Sequence, residues 1–465
     1  MQTIATDQTF VIIVSSQSTN YRTNILQTTE RNDYKLPNIY FSCDRMVKRY
    51  MPRIVDEILQ FKLRSKGAVW VKGPKWCGKS TTSEQFAKTI IRMQDEDTRE
   101  QNIALAKISP SDFLKGDTPL LVDEWQVIPF IWNQIRTEVD RRDEFGQFIL
   151  TGSKEPRDIK DKHTGTGRIA DLIMRPMSLY ESGESDGTIS LEGLFKGEGR
   201  PVRCDKRLLD YAFYTARGGW PKAIGQDIDI ALEQPIDYLE GIVNSDISED
   251  DVKRDPERVR LFLRSYARNC STQANNTTIK KDMIVNDAAS LDEDTIASYV
   301  KVLKGLYVIE ESVAWNPNLR SKAAIRTSNT RYFVDPSIAC AALGISPDGL
   351  MRDLKLFGFL FENLCIRDLR VYADRLRGDV KHYRDSLNLE VDAVITLRNG
   401  DWAAVEVKLG SEELIEEGAT NLLRLYDRMD PKSKKPNFMM VLTGSSTAYQ
   451  RDDGVWVVPL GCLGP

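Results

Sequence analysis

Ala68-Val69-Trp70-Val71-Lys72-Gly73-Pro74-Lys75-Trp76-Cys77-Gly78-Lys79-Ser80-Thr81 is the stretch whose reading decides the fold. Its first five residues form a short apolar, β-rich run. The next eight spell G-x-x-x-x-G-K-S, and a helical pattern from Thr81 to Met93 follows. Strand, glycine-rich turn and helix together make a phosphate cradle. The glycines let main-chain N–H groups face an anion, and the helix N-terminus adds partial positive charge. In such a cradle Gly73 to Thr81 wrap the phosphates of ATP, Lys79 reaches the β- and γ-phosphates, and Ser80 ligates magnesium.

A metal at the phosphates needs an acidic strand beside the cradle. Pro119-Leu120-Leu121-Val122-Asp123-Glu124 supplies one, an apolar run ending in two carboxylates. Ligands of α/β sheets sit at the carboxyl edge, where those acids fall. Asp123 is expected to hold Mg2+ and Glu124 to polarise the attacking water. A third strand, Gln147-Phe148-Ile149-Leu150, leads to Thr151-Gly152-Ser153. Ser153 or Thr151 can sense the γ-phosphate there, although a hydroxyl at a strand end is also a common turn former. The loop His163-Thr164-Gly165-Thr166-Gly167-Arg168 is expected to deliver an arginine to the transition-state charge, in cis or from a second copy of the chain, and a flexible turn with a salt-bridged arginine is the plainer alternative. Arg141 and Arg142 compete with Arg168 for that role.

Asp123-Glu124-Trp125-Gln126, Phe148 to Ser153, and Gly165-x-Gly167-Arg168 leading to Arg175-Pro176-Met177-Ser178-Leu179-Tyr180-Glu181 together resemble a family. It is that of the bacterial and archaeal AAA-type ATPases with a C-terminal domain of unknown function 4143. Gly218-Gly219-Trp220-Pro221 and Tyr332-Phe333-Val334-Asp335-Pro336-Ser337-Ile338-Ala339 fit the same family. The resemblance implies an α/β protein: a P-loop AAA+ type parallel sheet core, a helical lid, a winged-helix domain and a C-terminal restriction-endonuclease-like α/β domain. The expected divisions are an extension at 1–45, the ATPase core at 46–200, the lid at 201–250, the winged helix at 251–330 and the nuclease-like domain at 331–465. The extension reads as a short strand plus a floppy arm, or as a dispensable segment before a functional chain that begins at Met46, just ahead of the helical pattern from Arg53.

At 465 residues the chain is too long for one ordinary core. A formal net charge of -4 excludes a wholly basic nucleic-acid coat but permits a local basic groove. Seven scattered cysteines without a C-x-x-C pair, and only two histidines, argue against zinc and against a disulfide framework. The composition reads as cytoplasmic, with no membrane span and no signal peptide.

In the middle of the chain, Arg207 to Val243 is helical apart from the Gly218–Pro221 break, with Trp220 read as a core residue. Helices over Glu257 to Cys270, Thr277 to Asn286 and Asp292 to Leu303, then a strand over Tyr307 to Val313, suggest a winged helix. Thr295, Ser298, Tyr299 and Lys301 on its third helix could read a major groove, and Arg320, Lys322 and Arg326 lie just beyond. Acids at 282, 287 and 292–294 weigh towards a protein partner instead.

The last domain carries a second constellation. Glu362 lies near the start of a helix, Asp392 in the strand Glu390 to Ile395, and Glu406 with Lys408 in the strand Trp402 to Lys408. Residues two apart on a strand share a face, so three carboxylates and a lysine can converge. That set suits magnesium-dependent phosphodiester cleavage. Asp392 and Glu406 would hold the metal, Glu362 would complete its shell, and Lys408 would activate water. The order acid, D, E-x-K resembles the PD-(D/E)XK nucleases, without their usual proline. A solvated hairpin with cross-strand ion pairs is the plainer alternative.

Overall fold

The computed structural model describes residues 50–154, 165–247, 255–284, 293–316 and 328–465, and a pairing of Ala5–Thr6 with Thr9–Phe10. Most of the 1–45 extension lies outside the described residues. So do His163 and Thr164, the turn at 288–290, and the strip Arg320, Lys322 and Arg326. Among the described residues no helix is long and apolar enough to cross a membrane.

Five strands form an all-parallel sheet: β1 Ala68–Lys72, β2 Thr89–Arg92, β3 Leu120–Asp123, β4 Phe148–Gly152 and β5 Ile169–Ile173. Their spatial order is β2-β3-β4-β1-β5. Alternate residues of one strand feed two cores, as period-two side chains must. Trp70 packs with Leu120, Val122, Phe148 and Leu150 on one face, edge-on to Trp125 and Trp132 with ring centroids 5.6 Å apart. Val69, Val71, Leu121 and Ile149 meet Val55, Leu59 and Leu63 of the helix Ile54–Leu63 on the other. Covering both faces in this way is what keeps a parallel sheet dry.

The long helix expected after the P-loop is corrected. It stops at Glu84, and Thr89–Arg92 pairs in parallel with β3. Thr89, Ile90 and Ile91 are β-branched residues, which fit a pleated surface better than a helix.

Beyond the sheet, the helices Leu208–Arg217, Ile228–Gly241, Pro256–Arg268, Asn276–Ile284 and Glu293–Gly305 are followed by paired strands Ile309–Ser312 and Thr330–Phe333. Tyr299 is buried against Phe262 with ring centroids 5.3 Å apart. It belongs to the core and is not available to read a groove.

A second, seven-stranded sheet is built of β6 Val202–Arg203, β7 Asp379–Arg384, β8 Glu390–Thr396, β9 Trp402–Lys408, β10 Phe438–Thr443, β11 Thr447–Gln450 and β12 Trp456–Pro459. Its order is β7-β8-β9-β10-β12-β11-β6. The helix Leu354–Arg375 and the helices between Leu208 and Gly305 share one continuous apolar core with this sheet, while the helix Glu412–Arg428 covers its other face.

Candidate functional site: the carboxyl edge of the parallel sheet and a carboxylate pocket

The turn after β1 is shaped by what crowds it. Gly73 holds φ +155°, and a Cβ there would stand 2.1 Å from the Met174 carbonyl oxygen. Gly78 holds φ +102° at the start of the helix Lys79–Glu84. Lys79 is buried, and its Nζ donates to the Pro74 carbonyl at 2.8 Å. The outer wall is pinned by Arg53, whose guanidinium donates to the carbonyls of Cys77 (2.9 Å) and Arg175 (2.8 Å) and pairs with Glu181 at 3.1 Å. Tyr50 adds a hydrogen bond to Asp56 at 2.6 Å and lies 3.0 Å from the Thr82 hydroxyl.

The acidic strand end meets this loop. The Thr151 hydroxyl donates to Asp123 at 2.5 Å and accepts the Glu124 N–H at 3.1 Å. Thr151, not Ser153, therefore supplies the hydroxyl between the two acids. Glu124 sits at φ +56° and is hydrogen-bonded by the Gln126 amide. Burial raises the pKa of its carboxyl, and the nearby Lys79 opposes the rise. Hydroxyl and carboxylate oxygens are hard donors, and Mg2+ takes one or two carboxylates beside substrate phosphates. Ser80 and Asp123 fit it on that chemistry.

Arg168 is placed elsewhere. It precedes β5, whose Ile169 pairs with Ala68, at the opposite end of β1 from the loop. Its side chain is paired with Asp140 at 2.7 Å. It is out of reach of the phosphates in its own copy. Arg141 and Arg142 are both tied to Glu138.

The C-terminal acids gather at the end of the β8–β9 ladder. The ladder's pairing ends at Ala393 with Val405, and the Asp392 carboxylate accepts the Val407 N–H at 2.8 Å. Lys408 lies 3.2 Å from Glu406 and 3.3 Å from Glu417. Gly418 lets the covering helix come close: a Cβ there would be 3.3 Å from that of Glu406. Burial raises the carboxyl pKa of Glu362, Glu406 and Asp392; Asp392 adds to the rise at the other two, and Lys408 opposes it at all three. Glu362 accepts a hydrogen bond from Tyr332 at 2.6 Å. Among the described residues no group of three His, Cys, Asp or Glu side chains is arranged to hold a metal, so a three-acid shell is not assembled here.

A connecting network escaped sequence reasoning. Asp335 accepts the Gly219 N–H at 2.9 Å and pairs with Arg367 at 2.8 Å. Arg367 also donates to Asp368 at 2.8 Å, and Asp368 accepts the Leu179 N–H at 2.9 Å. Trp220 donates to Ser337 at 2.9 Å, confirming it as a core residue. Arg175 bridges Glu310 and Asp374, both at 2.6 Å. Charged residues inside apolar segments, such as Arg367-Asp368, were the available signal.

Known families match separate stretches of the chain. A model of an AAA domain matches residues 65–183, and one of a domain of unknown function, DUF4143, matches residues 357–463. Residues 65–183 are thus similar to AAA domains, and residues 357–463 to DUF4143 domains. A further domain of unknown function, DUF8612, matches residues 208–349. No curated protein matches it. Among solved structures, a Walker-type ATPase of Pyrococcus abyssi is 14% identical, covering 62% of this chain and 94% of its own, with a TM-score of 0.39. Drosophila ORC bound to DNA is 13% identical, with coverages of 66% and 93% and a TM-score of 0.21. The Aeropyrum pernix ORC1 protein in complex with DNA is 12% identical, with coverages of 64% and 92% and a TM-score of 0.18.

Proposed function

We propose that this chain is a magnesium-dependent ATPase whose nucleotide state is coupled to a nuclease-like C-terminal domain that acts on DNA. The observation that carries the ATPase half is one sheet edge on which Lys79, Asp123, Glu124 and Thr151 meet. Lys79 exchanges the Pro74 carbonyl for phosphate oxygens when nucleotide enters. Ser80 and Asp123 would hold the magnesium, which would neutralise phosphate charge. Glu124 takes the proton of the attacking water, and its raised pKa makes it the stronger base. Thr151 holds both acids in register. Arg168 serves only across a contact with a second copy, since it faces away from its own loop.

Coupling is supported by Pro221, whose Cγ lies 3.7 Å from where a Cβ on Gly78 would stand. The same Gly-Gly-Trp-Pro turn is held by Asp335 and Ser337, and Asp335 by Arg367 of the C-terminal helix. Nucleotide-dependent movement at Gly78 thus has a polar route to the last domain.

A second reading is an ATP-dependent switch with an inactive nuclease-like fold and a protein partner. The absence of a three-acid metal group among the described residues favours it. The ATPase reading is tested by Lys79→Ala, which should lose ATP binding in a titration with labelled nucleotide; undiminished turnover would remove the site. Plasmid with magnesium, with and without ATP, beside Lys408→Ala separates the two readings of the tail. Cleavage lost in the variant supports the nuclease, and no cleavage by the unaltered chain supports the switch.

A further inference from the structure

A cleft of about 910 Å³ lies away from both sites, between the helix Ile54–Leu63 with the edge strand β5 and the turn at 375–379 with Thr396 to Arg398. Eight cationic side chains and four carboxylates line it, in a chain whose formal net charge is -4. Four of the cations have acid partners. Lys72 is 2.8 Å from Asp171, Arg375 is 3.0 Å from Glu57, Lys381 is 3.9 Å from Asp379, and Arg175 bridges Glu310 and Asp374. The other four, Lys62, Lys66, Arg377 and Arg398, form no ion pair among the described residues. Burial lowers the pKa of the Lys62 ammonium and Arg398 lowers it further, while Asp171 and Asp374 partly oppose the shift.

The backbone supports the same cluster. Arg377 holds φ +55°, a left-handed conformation that a non-glycine residue adopts at a cost and often at a ligand site. Gly378 follows because a Cβ there would meet a Leu397 methyl at 2.7 Å. The turn so made lays the Arg377 guanidinium 3.9 Å from the centroid of the Phe61 ring, and Phe61 is 39% exposed. A lone phosphate is satisfied by one or two cations. Four spread along an open cleft, beside a guanidinium plane stacked on an aromatic ring, match a run of phosphates with unpaired bases attached.

We propose that this cleft binds single-stranded nucleic acid, with Lys62, Lys66, Arg377 and Arg398 meeting successive phosphates and the Phe61–Arg377 pair offering a face to a base. The inference is independent of the nuclease-like reading, since none of these residues belongs to the Asp392–Glu406 pocket. The test is fluorescence anisotropy of the full chain with short labelled oligodeoxythymidine and oligouridine, each over a salt series. The two oligomers distinguish a DNA from an RNA ligand. For four phosphate contacts the logarithm of the association constant should fall with log salt at a slope of about -3. Arg377→Glu with Arg398→Glu should weaken binding by about tenfold or more and roughly halve that slope, with ATP binding unchanged. Arg398→Glu alone, on an exposed hairpin tip, gives the smaller loss should the double variant fold poorly. Equal affinity of unaltered chain and variants would overturn the proposal. So would displacement of the oligomer by polyglutamate at equal charge, which would show a site for acidic peptide.

Discussion

The sheet edge and the C-terminal pocket are made of the same residue types, carboxylates and a lysine, yet they are wired oppositely. At the edge, Lys79 rests on a neutral carbonyl, and Asp123 is steadied by a hydroxyl. At the pocket, Lys408 already stands between Glu406 and Glu417, and three buried carboxyls are pushed upward. A lysine bonded to a neutral carbonyl gives up little when an anion arrives, whereas a lysine shared by carboxylates must first leave an ion pair. The first arrangement is prepared for an anionic ligand. The second is neutralised within the protein.

Substitution can break that contrast. The largest effect is expected at Glu124. Glu124→Gln should bind ATP normally in equilibrium titration while turnover falls by about 10²–10⁴-fold, the usual range for a lost general base. A near-normal rate would make Glu124 structural. Next comes a paired comparison of stability by urea denaturation. Lys408→Ala strands Glu406 beside other acids and should cost about 3 kcal/mol or more, whereas Lys79→Ala removes one hydrogen bond to a carbonyl and should cost about 1 kcal/mol. Equal losses would erase the distinction drawn between the two lysines.

The smallest effect is a pH dependence in the network between the sites. Burial would raise the Glu310 carboxyl, but Arg175 and Arg370 outweigh it and hold its pKa at about 2. A folded-state pKa below the ordinary value adds stability that is complete above the ordinary carboxylate range and is lost as pH falls towards about 2. Unfolding midpoints measured from neutral to acid pH should therefore drop less steeply in Glu310→Gln than in the unaltered chain. Parallel curves would mean that the ion pairs of Arg175 add nothing.

Much of the nucleotide edge was legible because its geometry is local. Strand, turn and helix from Ala68 to Glu84 are contiguous, and the glycines mark the positive-φ positions. The β8–β9 hairpin was legible for the same reason, from two alternating runs around Asn399-Gly400. The stretch at 81–93 misled because the helical pattern runs straight into β-branched residues that only pairing with β3 converts to a strand. The choice of Thr151 over Ser153 was invisible, because either hydroxyl could lie beside an acid until β3 and β4 were aligned. The Arg53–Glu181 pair joins residues 128 positions apart, and no local pattern marks such partners.

The sequence by itself determined what is local: a phosphate-binding turn, its acidic companion strand, and a hairpin bearing Asp392, Glu406 and Lys408. These follow from side-chain periodicity and from backbone conformations that only certain residues tolerate. Only the tertiary structure decided that the Thr151 hydroxyl lies between the two acids, that Arg168 faces away from its own loop, and that four cations without an ion pair among the described residues share one cleft. Those outcomes depend on packing between distant segments, where burial fixes partners that sequence spacing leaves open.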